Sequence, residues 1–223
     1  MKATSTGDQN VPRTVAIVAM GASHRDYLDD ALNQSGRHRV ADETWAINAM
    51  AGVIEHDRAF IMDDLRYFAR QARETPALDG YRDWLHRHPG PIYTSAVHPE
   101  YPGAVRFPLE DVLNSLRFDY FNSTPAYALA YAIHLGVPHV KLYGLDYTGK
   151  DRGFNEAGRA CFEYWIAVAV QRGMKVSLSP NCTLCDHVFG RPLYGYAVPP
   201  VIELSDGTFR VEHPQSVIHS NQS

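Results

Sequence analysis

Six short groups of small and polar residues follow apolar stretches of the sequence, and their residue types suit the binding of a polar ligand. The groups are residues 21–23, 48, 63–64, 122–124, 146–147 and 180–181. In an open α/β sheet, ligands bind beyond the carboxyl ends of the strands, near the point where the strand order reverses. The candidate binding residues are therefore Gly21, Ala22, Ser23, Asn48, Asp63, Ser123, Thr124, Asp146 and Asn181.

Two of these groups have the features of a phosphate-binding turn. Gly21 lets the backbone approach a ligand closely, and a turn that leads into a helix offers free N–H groups to an anion. A helix that begins at Ser123 or Thr124, with Pro125 in its first turn, offers the same groups. In a purely structural alternative, Gly21 only turns the chain and Ser23 caps the following helix.

Two glycine-containing segments are close to known phosphate-binding motifs, and each departs from its motif at an essential position. Residues 20–25 lack the G-x-G-x-x-G pattern of dinucleotide enzymes, which disfavours NAD and FAD. Residues 144–151 match G-x-x-x-x-G-K, but Asp151 stands where a P-loop needs Ser or Thr to hold magnesium. The Arg152-Gly153 dipeptide also argues against a helix start there. We therefore expect no P-loop kinase.

Asp63 and Asp64 end a predicted strand and are the candidate metal ligands. Two adjacent carboxylates can hold Mg²⁺ bridging a diphosphate, or one of them can accept a hydrogen bond from a ribose hydroxyl. In the alternative interpretation, Asp64 caps the next helix and Asp63 is solvated. Cys182 and Cys185 form a C-x-x-C pair, but no second such pair or ordered histidine pair accompanies it, so we expect no zinc site.

Strand and helix patterns alternate along the chain, and these elements must position the polar groups. Continuous apolar runs predict buried strands, and apolar spacing of three to four residues predicts helices. Predicted strands cover residues 14–20, 43–48, 58–64, 91–95, 139–146 and 175–179. Predicted helices cover residues 25–34, 65–74, 80–86, 125–135 and 159–172, and a hairpin is expected around Asp206 and Gly207. This alternation is typical of an α/β fold with a mostly parallel sheet and helices on both faces.

A single Rossmann-like domain is expected over residues 13–212, between flexible tails at residues 1–12 and 213–223. The chain has 223 residues, of which 45% are hydrophobic and 21% charged, which is the balance of a folded globular protein. Its formal net charge of −4 disfavours bulk nucleic-acid binding. An odd number of cysteines and the lack of an apolar run of about 20 residues favour a cytoplasmic protein without a membrane span.

Residues 122–146, NSTPAYALAYAIHLGVPHVKLYGLD, resemble a segment of the single-domain bacterial sialyltransferases. Those enzymes have a Ser/Gly-containing helix start, an alanine-rich helix that ends in Leu-Gly, and a strand that closes in Gly-(Ile/Leu)-Asp. Residues 21–23 look like their Gly-x-Gly-Pro-Ser nucleotide loop, Asn48 looks like their cytosine-contacting Asn, and residues 176–184 look like their closing strand and Pro-Asn-Ser loop. The resemblance covers residues 16–195 and extends to the 6-hydroxymethylpterin diphosphokinase-like family.

The resemblance implies a nucleotide-sugar donor, and the sequence departs from the family at the expected catalytic positions. The sialyltransferases carry a catalytic-base histidine between the Gly-x-Asp strand and the next helix, whereas residues 147–158 contain none. Their phosphate-contacting tyrosine is matched only by Tyr147, displaced by one position. We expect Tyr147 to stabilise the leaving phosphate and Glu156 to replace the base, the alternative being that Glu156 is a surface residue beside a helix start.

These observations predict a nucleotide-binding transferase, most simply a sialyltransferase-like glycosyltransferase with a CMP- or UDP-type sugar donor and no firmly expected cofactor. The acceptor is unknown, and a large one would dock on an open face or at the interface of a homo-oligomer. A first alternative is a Mg²⁺-dependent diphosphokinase that transfers pyrophosphate from ATP, with Asp63 and Asp64 on the metal. A second is a catalytically silent protein that binds and sequesters a nucleotide.

Overall fold

The apolar run at the start of the chain forms the central strand of a parallel sheet. The computed structural model describes residues 11–74, 80–149, 151–189, 201–203 and 205–211. Within these residues, seven strands form one sheet in which all neighbours are parallel. They are β1 (Thr14–Val18), β2 (Glu43–Ile47), β3 (Arg58–Phe60), β4 (Ile92–Thr94), β5 (Ala104–Arg106), β6 (His139–Tyr143) and β7 (Lys175–Leu178).

Seven helices accompany the sheet in the described part of the chain, and they lie on both of its faces. They are α1 (His24–Asn33), α2 (Arg37–Val40), α3 (Leu65–Glu74), α4 (Tyr81–Arg87), α5 (Leu109–Leu116), α6 (Thr124–Leu135) and α7 (Arg152–Gln171). Alternate residues of β1 show the two faces: Val15 and Ile17 belong to one hydrophobic cluster with α6 and α7, whereas Ala16 and Val18 belong to another with α1, α3 and α4. The predicted fold class is therefore confirmed.

The strand order β5-β4-β3-β2-β1-β6-β7 creates a crevice at one place in the sheet. From β1 to β5 the chain moves outward in one direction, and it then returns through α5 and α6 to place β6 on the other side of β1. Connections therefore leave the carboxyl ends of β1 and β6 in opposite directions, which is the switch point where open parallel sheets bind ligands.

The alanine-rich helix α6 crosses the middle of the sheet and is buried on nearly all sides. Its central residues from Ala128 to Ala132 are at most 7% exposed, because small side chains let the helix lie close to the strands. The helix ends where predicted, at Gly136, whose φ of +76° stops helical hydrogen bonding. The prediction for residues 125–135 is confirmed, with the start one residue earlier.

Helix α7 begins at Arg152, seven residues before the predicted start, so the expectation of no helix start at Arg152-Gly153 was wrong. The Asp151 side chain caps this helix by accepting a hydrogen bond of 3.0 Å from the backbone N–H of Phe154. Gly153 is tolerated because it lies in the first turn, where a helix depends on its cap rather than on helix propensity. Asp151 thus caps a helix at the position where a P-loop holds magnesium.

Three further elements, α2, β5 and α5, were not predicted at all. Residues of β5 are partly or fully exposed, as expected for an edge strand without an apolar run. The expected hairpin is present as β8 (Val201–Glu203) and β9 (Phe209–Val211), an antiparallel pair. The predicted tails fall outside the described residues, apart from residues 11 and 12. None of the helices in the described ranges is long and apolar enough to cross a membrane.

A pair of histidines joins the segments that precede β3 and β4. Nδ1 of His88 accepts a 2.9 Å hydrogen bond from the backbone N–H of Gly90, so neutral His88 carries its proton on Nε2. That atom lies 3.1 Å from Nε2 of His56, and Nδ1 of His56 lies 2.9 Å from the carbonyl oxygen of Ile54. With its proton on Nε2, neutral His88 donates to Nε2 of His56. Burial, and after it the neighbouring His56, lower the pKa of His88 to about 4.

We expect the free energy of unfolding to fall as the pH is lowered from 6.5, the usual pKa of histidine, to about 4. In this window the unfolded chain binds a proton at His88 and the folded chain does not. The contribution of neutral His88 to the free energy of unfolding is therefore complete above pH 6.5 and is lost as the pH falls to about 4. Because His88 is only half-buried, solvent screening limits the loss to about 1–2 kcal/mol.

Urea titrations of the wild type and of His88→Asn over this range measure the effect, because the asparagine oxygen can still accept the Gly90 hydrogen bond but does not titrate. The variant should lose less stability than the wild type on acidification. The same pH dependence in both proteins would contradict the lowered pKa of His88.

Candidate functional site

A pocket of about 800 Å³ opens at the switch point of the sheet. Its walls come from the segments that follow β1, β2, β3 and β6 and from the first turns of α6 and α7. Most of the predicted site residues line it, although they are far apart in sequence. The predicted residues that line the pocket are Gly21, Ala22, Asn48, Asp63, Ser123, Thr124, Asp146 and Tyr147.

Two glycines hold the turns after β1 and β6 against each other at the base of this pocket. The backbone N–H of Gly21 donates to the carbonyl oxygen of Gly144 at 2.8 Å. A Cβ atom at Gly21 would lie 2.6 Å from that oxygen, and a Cβ atom at Gly144 would lie 2.1 Å from the carbonyl oxygen of Ala19. Gly21 is therefore required by the close approach of the neighbouring turn of the protein itself.

Ser23 and Asp146 are buried and bonded to each other. The Ser23 hydroxyl donates to Asp146 Oδ1 at 2.6 Å, and the Ser23 backbone N–H donates to Oδ2 at 2.7 Å. The Ser23 oxygen also accepts from the backbone N–H of Gly144 at 3.0 Å. Ser23 makes no capping hydrogen bond to α1, so neither interpretation drawn from the sequence describes its contacts. The pair joins the two turns and fixes the shape of the pocket.

The first turn of α6 is directed at the pocket, which Ser123, Thr124, Pro125 and Tyr127 all line. The Ser123 hydroxyl does not cap the helix; its oxygen lies 3.0 Å from the hydroxyl oxygen of Tyr147. The first N–H groups of a helix have no partner within the helix and carry a partial positive charge. Pro125 has no N–H, and the N–H of Ala126 donates to the carbonyl oxygen of Ser123 at 3.1 Å. This wall of the pocket therefore offers the partial positive charge of the helix start and two hydroxyls to an anion.

Tyr147 has a left-handed backbone, with φ of +49°, and its side chain packs against α7. A Cβ atom at Gly158 would lie 2.6 Å from the tyrosine ring, so this glycine makes room for it. Burial raises the pKa of Tyr147 to about 12, while the hydrogen bond with Ser123 lowers it in part. The hydroxyl stays protonated at neutral pH and can donate a hydrogen bond to an anion.

Asn48 directly follows β2 and has a left-handed backbone, with φ of +51°, a conformation that asparagine tolerates better than most residues. Its carbonyl oxygen accepts a 3.0 Å hydrogen bond from the Tyr81 hydroxyl. Its side-chain oxygen Oδ1 is buried and has no partner among the described residues. A buried acceptor without a partner costs about 1–3 kcal/mol, so a ligand that donates to it gains that free energy.

Asp63 and Asp64 face different surroundings although they are adjacent in sequence. Asp64 accepts hydrogen bonds from the backbone N–H of Arg66 at 2.9 Å and from Nε2 of His98 at 2.8 Å, and so caps α3. Asp63 is exposed and lines the pocket. The contacts of Asp64 match the alternative in which it is a cap. Among the residues that the structure describes, no group of three or more His, Cys, Asp or Glu side chains is placed to hold a metal.

Glu156 and Asn181 lie outside the main pocket. Glu156 is exposed, 3.5 Å from Nε of Arg152, and lines a shallower neighbouring pocket of about 300 Å³. The backbone N–H and side-chain amide of Asn181 donate to Asp26 at 2.9 and 2.7 Å, which ties the end of β7 to α1. Neither side chain is brought to the start of α6.

Several pocket residues were missed by the sequence analysis. Phe121 and Tyr127 form one wall, with ring centroids 4.3 Å apart, and Met62 lies near them. In the sequence these three residues lie close to the polar groups 63–64 and 122–124, and this position is the feature that could have identified them as pocket residues. Phe154 and Asn155 also line the pocket, and they could not be found because the start of α7 was placed too late. The apolar wall suits a flat ring, and the polar wall suits a phosphate.

The comparisons with known proteins assign no family to the chain. No protein-family model matches the sequence, and no curated protein matches it either. The resemblance of residues 122–146 to the bacterial sialyltransferases therefore stays an expectation from the sequence. It enters the proposed function below together with the contacts around the pocket.

Proposed function

We propose that the protein is a nucleotide-binding transferase that holds a nucleotide-sugar donor in this pocket and moves its glycosyl group to an acceptor hydroxyl. One observation carries the proposal: the start of α6, the hydroxyls of Ser123 and Tyr147 and the unpartnered acceptor of Asn48 all line one pocket at the switch point. Its volume of about 800 Å³ suits a ligand of nucleotide size. The motif resemblance supports the sugar donor.

The donor phosphate would lie against the first turn of α6. The charged side chains that line the pocket, within the described residues, are the carboxylates of Asp63 and Asp146. Attraction for an anion must therefore come from the helix dipole and from hydroxyls. These groups act over short distances, which suits a protein whose net charge of −4 repels a nucleotide at long range.

Tyr147 and Ser123 would stabilise the leaving phosphate. When the glycosyl–phosphate bond breaks, negative charge develops on the phosphate oxygen, and a donor already aimed at that oxygen stabilises the transition state. The two hydroxyls lie 3.0 Å apart, so one of them donates a hydrogen bond to the other. The hydroxyl that accepts this bond still has its own proton, which it can donate to the ligand. Asn48 would contact the nucleoside through its amide.

The two alternative functions differ from this proposal in measurable ways. A diphosphokinase with two carboxylates on Mg²⁺ has less support, because Asp64 is held by His98 and by the backbone of α3. A nucleotide-sequestering protein would use the same pocket but would release its ligand unchanged. Metal dependence and turnover therefore separate the three functions.

We expect a rise in melting temperature with a nucleotide-sugar, without added magnesium, and slow release of the free nucleotide. Binding at a ligand concentration of 100 times Kd stabilises the folded state by about 2.7 kcal/mol. Thermal-shift screening with CMP, UMP, GDP, ADP and their sugars, followed by mass-resolved assay of the products, tests this. The matched variant Asn48→Gly keeps the left-handed backbone and removes the amide, and it should bind about tenfold more weakly.

Three results would replace the proposal. If the protein neither binds nor hydrolyses any nucleotide-sugar, the proposed nucleotide-sugar transfer is contradicted. ATP turnover that is abolished by a chelator supports the diphosphokinase. Tight binding with stoichiometric release of unchanged ligand supports sequestration.

A further inference from the structure

The pocket offers few groups that could accept a proton. Of the described residues that line it, the ionisable ones are Asp63, Asp146, Tyr127 and Tyr147. Burial raises the pKa of Tyr127, whose hydroxyl therefore keeps its proton at neutral pH. The Asp146 carboxylate is buried and accepts two hydrogen bonds from Ser23. Tyr147 is already protonated at neutral pH. Asp63 is exposed, and no hydrogen bond or ion pair engages its carboxylate within the described part of the chain. It is therefore the pocket group that is free to take a proton.

The backbone of Asp63 is held in place at the end of β3. Its carbonyl oxygen accepts a 3.1 Å hydrogen bond from the hydroxyl of Thr94, which lies in the neighbouring strand β4. One strand, β2, separates β3 from β1, so about 10 Å lies between their carboxyl ends. Asp63 and the start of α6 line the same pocket.

The neighbouring carboxylates are less suited to this role. Glu156, the base expected from the sequence, lies outside the main pocket and is paired with Arg152. Asp64 is engaged by His98 and caps α3. Asp63 differs from both because it lines the donor pocket and its carboxylate is unengaged in the described structure.

We propose that Asp63 is the general base of the transfer reaction, an inference that rests on the proposed function. Its carboxylate takes the proton of the acceptor hydroxyl while the acceptor oxygen bonds to the anomeric carbon of the donor sugar. The bond from that carbon to the phosphate oxygen breaks, and its electron pair leaves with the nucleotide. Because Asp63 is exposed, the proton passes to water after the product departs. Direct displacement inverts the anomeric configuration.

The test compares Asp63→Asn, which removes the proton acceptor but keeps the shape, with Asp63→Glu and the wild type. We expect the donor Kd of Asp63→Asn to change less than about threefold, measured by thermal shift, and its kcat to fall about 10²- to 10⁴-fold. Asp63→Glu should retain more activity than Asp63→Asn. Asp29→Asn, on the exposed surface of α1, serves as the matched control with unchanged kinetics.

The outcomes separate this inference from the proposed function. If the wild type turns over a donor and Asp63→Asn does so within threefold, Asp63 is not the base although the transferase proposal stands. If Asp63→Asn loses donor binding, Asp63 is a donor contact and the inference is overturned. If the wild type turns over no donor, the proposed function fails and the inference falls with it.

Discussion

Replacing Gly144 by alanine is expected to lower the free energy of unfolding by at least about 4 kcal/mol, an unusually large effect for one methyl group. Gly144 has φ of +68°, and the added Cβ would lie 2.1 Å from the carbonyl oxygen of Ala19. The backbone N–H of Ala19 is in turn bonded to the carbonyl oxygen of Tyr143 at 2.9 Å. The turns can separate only by breaking the hydrogen bonds between β1 and β6.

Gly136→Ala is the matched control for this prediction. Gly136 has a similar φ of +76° but no atom within 4 Å of an added Cβ, so alanine there costs only the backbone strain of about 1–2 kcal/mol. Urea denaturation of the two variants isolates the contribution of the close approach. We also expect Gly144→Ala to lose nucleotide binding, because the turns that shape the pocket must move apart. Equal destabilisation by the two substitutions would show that the approach is not a close contact.

Replacing Tyr147 by phenylalanine is expected to lower kcat for glycosyl transfer about 100-fold while the donor Kd changes little. The hydroxyl is a protonated donor next to the start of α6, and the loss of one such donor to a developing anion costs about 10²- to 10³-fold in rate. Ser123→Ala removes the partner hydroxyl, and we expect a smaller loss because Tyr147 keeps its own proton.

Tyr164→Phe is the control for the tyrosine substitution, since Tyr164 is partly exposed on the same helix that packs against Tyr147 and does not line the pocket. Steady-state kinetics should show a change in kcat for Tyr147→Phe and none for Tyr164→Phe. A rise in KM with unchanged kcat would assign Tyr147 to ground-state binding instead. Thermal denaturation without ligand verifies that both variants fold.

The positions of the main elements follow from local sequence patterns. The run TVAIV forms β1 because alternate side chains are buried on both faces, and α6 ends at Gly136 because glycine adopts the left-handed conformation there. Helix α5 was missed although Leu109, Val112 and Leu116 have helical spacing, whereas β5 has no such pattern. Strand β5 carries an exposed valine and arginine, and it forms by pairing with β4, a contact that local periodicity does not encode.

The sequence by itself determined that polar residues follow the strands, and hence which edge of the sheet carries the candidate site. Only the tertiary structure decided which of them reach the pocket. Ser23 and Asp146 are 123 residues apart, and they bond to each other because β1 and β6 are neighbours. Asp63 and Asp64 are adjacent in sequence, yet one lines the pocket and the other caps a helix. Strand order and side-chain direction decide these partners, and both depend on packing between distant parts of the chain.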